Sequence, residues 1–169
     1  EIASCLVGSE MCIRDRRQGL EEQVNVPLAP LCKELLNSQH GRIEGKQLQV
    51  ELQVPADLAW SGEPFLLRQA LGNLLTNALD FSPVGGLLRC SAQPVEEGVE
   101  LVLFNQGEPI PDYALPRLCE RFYSLPRPDS GRKSTGLGLN FVEEVVQLHG
   151  GQMRIDNVPG GVQVTLRLP

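Results

Sequence analysis

Long apolar runs are missing from this chain of 169 residues: no stretch approaches the ~20 consecutive apolar residues of a bilayer-spanning helix. Its start also lacks the basic stretch and apolar core of a secretory leader. The piece is therefore expected to be soluble. Basic excess is missing too, with 15 Lys and Arg against 21 Asp and Glu, a formal charge of −6 and a pI near 5.0. That balance argues against a general nucleic-acid binder, whose affinity comes from clustered cations, and leaves room only for a local basic site. Cys5, Cys12, Cys32, Cys90 and Cys119 are odd in number and contain no C-x-x-C pair, so neither a disulfide framework nor a zinc site is suggested. They fit a reducing compartment, with Cys90 and Cys119 as small core residues. Internal repeats and low-complexity tracts are absent as well.

What is present is a hydrophobic content of 41%, enough for one domain with a genuine core. Residues Glu1 to Arg17 hold no sustained period. They are expected to be weakly ordered or non-native, since Ser4 to Arg16 resembles translated sequencing-adaptor read-through, and the domain proper is expected over 18–169. From Pro27 to His40, Leu28, Leu31, Cys32, Leu35 and Leu36 fall at helical spacing. Leu48, Val50, Leu52 and Val54 then alternate with polar residues as in a half-buried strand, which Pro55 ends. Glu63 to Phe81 predicts the longest helix, with a broad apolar stripe. A hairpin follows across Glu96-Glu97-Gly98, its second strand ending in Asn105-Gln106-Gly107-Glu108-Pro109. Asp112 is placed to cap a helix carrying Tyr113, Leu115, Leu118 and Phe122. The last elements are a helix from Leu137 to His149 and a hairpin turning at Pro159-Gly160-Gly161. This order fits one mixed or antiparallel sheet covered on one face by helices.

Three local patterns carry chemistry. Asn73 and Asn77 lie one turn apart on the long helix, with Asp80 three residues on. Asn competes for local backbone partners and is a poor interior helix former, so the pair suggests a polar patch offered to a ligand or hydrated cation. Leu125 to Ser134 loses apolar period and gathers Arg127, Arg132 and Lys133 among prolines and glycine, a basic loop. That loop runs into Ser134-Thr135-Gly136-Leu137-Gly138-Leu139, where glycines at a helix mouth leave backbone N–H groups open to a phosphate.

Taken in order over Pro27 to Pro169, these features resemble the catalytic ATP-binding domain of bacterial two-component sensor histidine kinases, in the superfamily shared with gyrase, the Hsp90 chaperones and MutL. The resemblance implies the Bergerat (GHKL) fold, an α+β two-layer sandwich whose mixed, mostly antiparallel sheet carries helices on one face. It implies ATP and Mg²⁺ as cofactors, with Asn77 of the N box coordinating the metal through its side-chain oxygen and Asn73 beside it. A hard cation held by few protein oxygens and a triphosphate suits Mg²⁺. Hydrolysing relatives carry Glu where Asn73 stands, and an amide is no general base, which favours phosphoryl transfer over hydrolysis. Asp80 occupies a position often given to Lys or Arg, so either a basic loop residue compensates or nucleotide binding is weaker.

The adenine-side motif, usually Asp-x-Gly-x-Gly, reads Asn105-Gln106-Gly107-Glu108-Pro109. Asn105 keeps an acceptor oxygen without the charge, a change worth on the order of fivefold in affinity, and Pro109 stiffens a glycine position. Arg121-Phe122-Tyr123 matches the F box, with Phe122 as lid anchor. Arg127, Arg132 and Lys133 are candidates for neutralising phosphates, and Thr135 to Leu139, above all Gly136 and Gly138, for contact with the triphosphate. Neither His40-Gly41 nor His149-Gly150 resembles the phosphoacceptor, which belongs to a separate dimerisation domain with a His-Glu or His-Asp pair. The implied partners are that domain and, indirectly, a response regulator, with the domain itself cytoplasmic. Two other readings stay open: a degenerate nucleotide module working through protein contacts, and a hydrolysing ATPase.

Overall fold

The structure is a computed structural model that describes residues 23–128, 131 and 138–169. The expected extension over 1–17 lies outside these residues. The helices are α1 (Leu28–Ser38), α2 (His40–Gly45), α3 (Pro64–Phe81) and α4 (Gly138–Leu148). The strands are β1 (Val24–Pro27), β2 (Gln49–Gln53), β3 (Ala59–Gly62), β4 (Leu87–Val95), β5 (Gly98–Gln106), β6 (Gln152–Val158) and β7 (Gly161–Leu168). A five-stranded sheet runs in the order β2-β4-β5-β7-β6, and β1 pairs β3 in a separate antiparallel ribbon. Only the β2–β4 pairing in the larger sheet is parallel, because α3 returns the chain across the sheet between those strands. This is the expected two-layer α+β sandwich with a mixed, mostly antiparallel sheet.

Alternation decides which face the helices cover. Val99 and Leu101 of β5, and Val164, Leu166 and Leu168 of β7, are buried in one core with Leu28 and Leu31 of α1, Leu66, Leu67 and Leu74 of α3, and Val142, Val145 and Val146 of α4. The opposite face is wet: Arg167 donates to Glu100 at 2.9 Å, Arg89 to Glu51 at 2.7 Å and Gln93 to Glu100 at 3.1 Å. Each such exposed pair contributes a few tenths of a kcal/mol, against about 1.5–3 kcal/mol for each fully buried Val or Leu. The helix layer therefore holds the sandwich together.

The long helix α3 is bounded by identifiable caps. Glu63 accepts a bond from Leu66 N–H at 2.6 Å, and Pro64 starts the first turn, where its fixed φ fits and its missing donor is not needed. At the other end Pro83 disfavours further helix, Ser82 Oγ donates to Ala78 O at 2.6 Å, and Lys46 Nζ donates to Leu79 O at 2.6 Å and Ser82 O at 3.1 Å. Helix α4 ends where Gly150, at φ +75°, lets Gly151 N–H return to Val146 O at 2.9 Å.

Two differences from the expected elements have physical causes. The helix foreseen from Asp112 to Phe122 is only a 3-10 turn, Leu115–Arg117. Of its apolar residues, Ala114 and Leu118 are buried while Tyr113 and Phe122 are exposed, so no continuous stripe exists to hold a helix. Strands β1 and β3, unforeseen, are four residues each and too short to display a period. They are fixed by tertiary contacts: Trp60 is buried, donates Nε1–H to Pro169 O at 2.9 Å and meets the His149 ring edge-on at 4.7 Å.

Cys32 and Cys90 are free thiols whose sulfurs approach to 3.8 Å inside the core. Cys90 donates its S–H to Cys32; that bond and burial hold the Cys90 proton on well above the usual thiol range, while the same bond draws Cys32 down against the opposing effect of its own burial. Among the described residues, no helix is long and apolar enough to cross a membrane.

Candidate functional site

A cavity of about 290 Å³ opens between α3, the β5 end, the connection 107–128 and the start of α4. Its size and mixed lining are those of a small-molecule site. Asn77 of α3, Asn105 of β5, Pro109, Gly138 and Leu139 line it, five of the expected site residues brought together from four separate parts of the chain. Ile110, Leu139, Ile155, Val162 and Val164 form aliphatic walls suited to a flat ring.

Asn105 is 8% exposed, although it is polar and at a strand end. Its seat is made by β7: a Cβ on Gly161 would lie 2.1 Å from Asn105 O, so only glycine allows the two strands to close there. Asn105 Nδ2 reaches Gln106 O at 3.4 Å, a marginal contact that leaves its carboxamide free to bond a ligand. Gly107 does not line the cavity. It sits behind, donating to Gly160 O at 3.2 Å, where an added Cβ would press Phe81 O at 3.0 Å.

Asn73 is half-buried one turn before Asn77, on the same helix, and does not line the cavity. Asp80 does not line it either. Its side chain is 10% exposed and accepts from two arginines, Arg42 Nη2 on Oδ1 at 2.5 Å and Arg127 Nη2 on Oδ2 at 3.0 Å. Phe122, expected to anchor the lid, is 76% exposed with φ +65°, while its neighbour Tyr123 lines the cavity and carries the Arg117 guanidinium 4.4 Å over its ring. Arg132, Lys133, Thr135, Gly136 and Leu137 lie outside the described residues.

Three residues that the sequence did not single out hold the cavity rim. Asn157 Oδ1 accepts from Ile110 N–H and its Nδ2 donates to Ile110 O, both at 2.8 Å, pinning the loop after β5 to β6. Asn140 Nδ2 donates to Cys119 O at 3.0 Å, and Glu144 accepts from Arg121 at 3.0 Å, fastening the segment before the basic loop to α4. The available signal for Asn157 was its type, since Asn is depleted in strands.

His149 is closed to chemistry. Glu63 N–H donates to its Nε2 at 3.2 Å, so Nδ1 carries the proton and donates to Val145 O at 2.8 Å. Among the described residues no group of three or more His, Cys, Asp or Glu could hold a metal ion. Asn77 and Asn105 bring amide oxygens and Glu108 a carboxylate to the cavity lining, hard donors that would fit a hydrated Mg²⁺.

Residues 62–169 match the family described as histidine kinase-, DNA gyrase B-, and HSP90-like ATPase. Among curated relatives, the sensor protein CreC of Escherichia coli (strain K12) is 44% identical over 144 residues, covering 85% of this chain and 30% of the relative. The sensor histidine kinase CusS of the same strain is 37% identical over 111 residues, 64% of this chain and 23% of the relative. The chain thus spans less than a third of either protein. Among solved structures, the mycobacterial sensor histidine kinase MprB aligns with a TM-score of 0.71 at 29% identity, over 88% of this chain and 96% of that one. The catalytic domain of histidine kinase ThkA aligns with a TM-score of 0.79 at 23% identity, over 88% and 97% of the two chains.

Proposed function

Given that the chain belongs to the histidine kinase-, DNA gyrase B- and HSP90-like ATPase family, we propose that it is the ATP-binding catalytic domain of a sensor histidine kinase. It delivers the γ-phosphoryl group to a histidine on a dimerisation domain, with a response regulator downstream. The observation that carries this reading is the meeting of Asn77, Asn105, Pro109 and Gly138-Leu139 in one cavity. We take the domain as 18–169; an extent beyond the matched residues is supported by α1 and Trp60, which are buried in the same core as α3 and α4.

Each side chain has a task in this reading. The aliphatic walls exclude water around the base, and the Asn105 carboxamide offers an acceptor to its amino group. Asn77 would hold Mg²⁺ through its amide oxygen, and the bound ion would supply neutralisation of phosphate charge. Asn73, an amide one turn away, offers no base to activate water, which favours transfer over hydrolysis. The acceptor histidine is not His149, whose two ring nitrogens are both bonded inside the protein.

Calorimetric titration with a non-hydrolysable ATP analogue, with and without Mg²⁺, tests the reading. Asn77→Ala is expected to weaken binding by about tenfold or more in Mg²⁺ and little without it, the loss of one charge-assisted ligand bond. No wild-type binding at millimolar nucleotide sinks the proposal. Phosphotransfer is checked by adding a dimerisation domain of the intact protein and radiolabelled ATP, where an unlabelled histidine counts against a kinase.

A further inference from the structure

The end of α3 holds a charge cluster that the cavity alone does not explain. Asp80, 10% exposed, receives Arg42 of α2 on one oxygen and Arg127 on the other. Two guanidinium groups on one carboxylate leave one positive charge in excess. Lys46 Nζ donates to Leu79 O and Ser82 O, the carbonyls on either side of Asp80. Arg127 comes from the connection that borders the cavity, between Pro126 and Pro128, both of which line it. Asp80 lies one turn after Asn77 on α3, and neither it nor Arg127 is part of the cavity lining itself.

One detail separates this cluster from ordinary helix capping. Arg127 Nε is buried and has no hydrogen-bond partner among the described residues. A buried guanidinium N–H without an acceptor is costly, and an anionic oxygen brought to it would remove that cost. The second nitrogen of the same planar fork is fixed on Asp80 at 3.0 Å, so the carboxylate sets where the first one sits.

We propose that Asp80 is a positioning residue: it holds Arg127 so that the empty Nε–H and the excess charge serve the phosphate end of the nucleotide. A residue of the wrong sign for phosphate thereby supplies a cation from the lid segment. Arg127 has two fixed ends, because the chain just before it is fastened to α4 through Arg121–Glu144 and Asn140–Cys119. The inference rests on the nucleotide reading above.

The sign of one substitution tests it. Asp80→Asn removes a negative charge near an anion site, so electrostatics alone predicts tighter binding of a triphosphate. Positioning predicts the reverse: about tenfold weaker binding of the ATP analogue in Mg²⁺, since an oriented charge-assisted bond is lost. Arg127→Gln should lose about as much, and the double variant no more than either single, because the two act as one unit. Adenosine, lacking phosphates, should bind all variants within twofold of wild type. Arg127→Lys should recover only part of the loss, because an ammonium keeps the charge but lacks the fork.

Equal or tighter triphosphate binding by Asp80→Asn overturns the proposal, as do losses that multiply in the double variant or that extend equally to adenosine. A cluster that only stabilises the helix end would lower the melting temperature and leave the triphosphate-to-adenosine ratio unchanged. If Asp80→Asn fails to fold, Arg127→Gln, in a partly exposed connection, carries the same expectation alone. Absence of wild-type binding would defeat the nucleotide reading itself, whereas wild-type binding with unaffected variants defeats this inference only.

Discussion

The two 2.8 Å bonds between Asn157 and the Ile110 peptide use both ends of one carboxamide, acceptor to N–H and donor to carbonyl. Asn157→Ala removes both. At about 1 kcal/mol net per bond the loss is about 2 kcal/mol, falling towards about 1 kcal/mol where water reaches the freed Ile110 groups. Asn157→Asp is the sharper probe. Its carboxylate keeps the bond to Ile110 N–H but faces the Ile110 carbonyl with a second acceptor, so near pH 7 it should be no more stable than the alanine variant. A protonated carboxylic acid, like the amide, offers a donor on one side and an acceptor on the other. The facing carbonyl disfavours the charged form in the folded state, which raises the folded pKa of the introduced group above its unfolded value. Stability relative to Asn157→Ala should therefore rise as pH falls through that pKa, and be lost again as pH climbs. Urea denaturation of the two variants side by side at several pH values reads this difference and cancels acid effects elsewhere in the chain. Because Ile110 walls the cavity, the same substitutions should weaken binding of the ATP analogue severalfold. An alanine variant within about 0.5 kcal/mol of wild type with unchanged affinity, or an Asp variant as stable as wild type at pH 7, would refute the two-ended clamp.

Two further expectations come from other parts of the structure. Gly161→Ala puts a Cβ 2.1 Å from Asn105 O, so β7 has to move off β5 at the base of the cavity; a loss of about 3 kcal/mol or more is expected in thermal or urea unfolding, and a normal melting curve would show that the strands are not so close. Cys119 is pushed up to about 12 by burial and by the charge and hydrogen bond of Glu143, so peptide-mapped alkylation at pH 8 should be far slower in the folded chain than in urea, and Glu143→Gln should speed it; equal rates in both states would contradict this environment.

What could be read from the chain depended on how far apart the cooperating residues lie. Asn73, Asn77 and Asp80 fall within a few helical turns, and the stripe around them is periodic, so α3 and its Asn pair are legible in the sequence. The same holds for Val162, Val164, Leu166 and Leu168, whose alternation fixed the buried side of β7. Asn105 and Pro109 were found as a local pattern and do reach the cavity. The contacts that hold that cavity in shape have no local signature. Asn157 meets Ile110 across 47 residues and Asp80 meets Arg42 across 38, and nothing near either residue in sequence names its partner. The F-box reading shows how local pattern misleads at the scale of one position: Phe122, the larger apolar residue, turns outward in a left-handed backbone conformation, and Tyr123 takes the cavity side. Asp80 is legible only in part, since the sequence offers a basic loop residue as one way to offset its charge without naming which. Its charge taken alone argues against a phosphate neighbour, and only the second arginine, arriving from the lid segment, reverses the sign of the cluster. The chemistry of that position therefore belongs to the trio of side chains, and substituting Asp80 by the lysine that local charge reasoning favours would set like charge against Arg42 and Arg127.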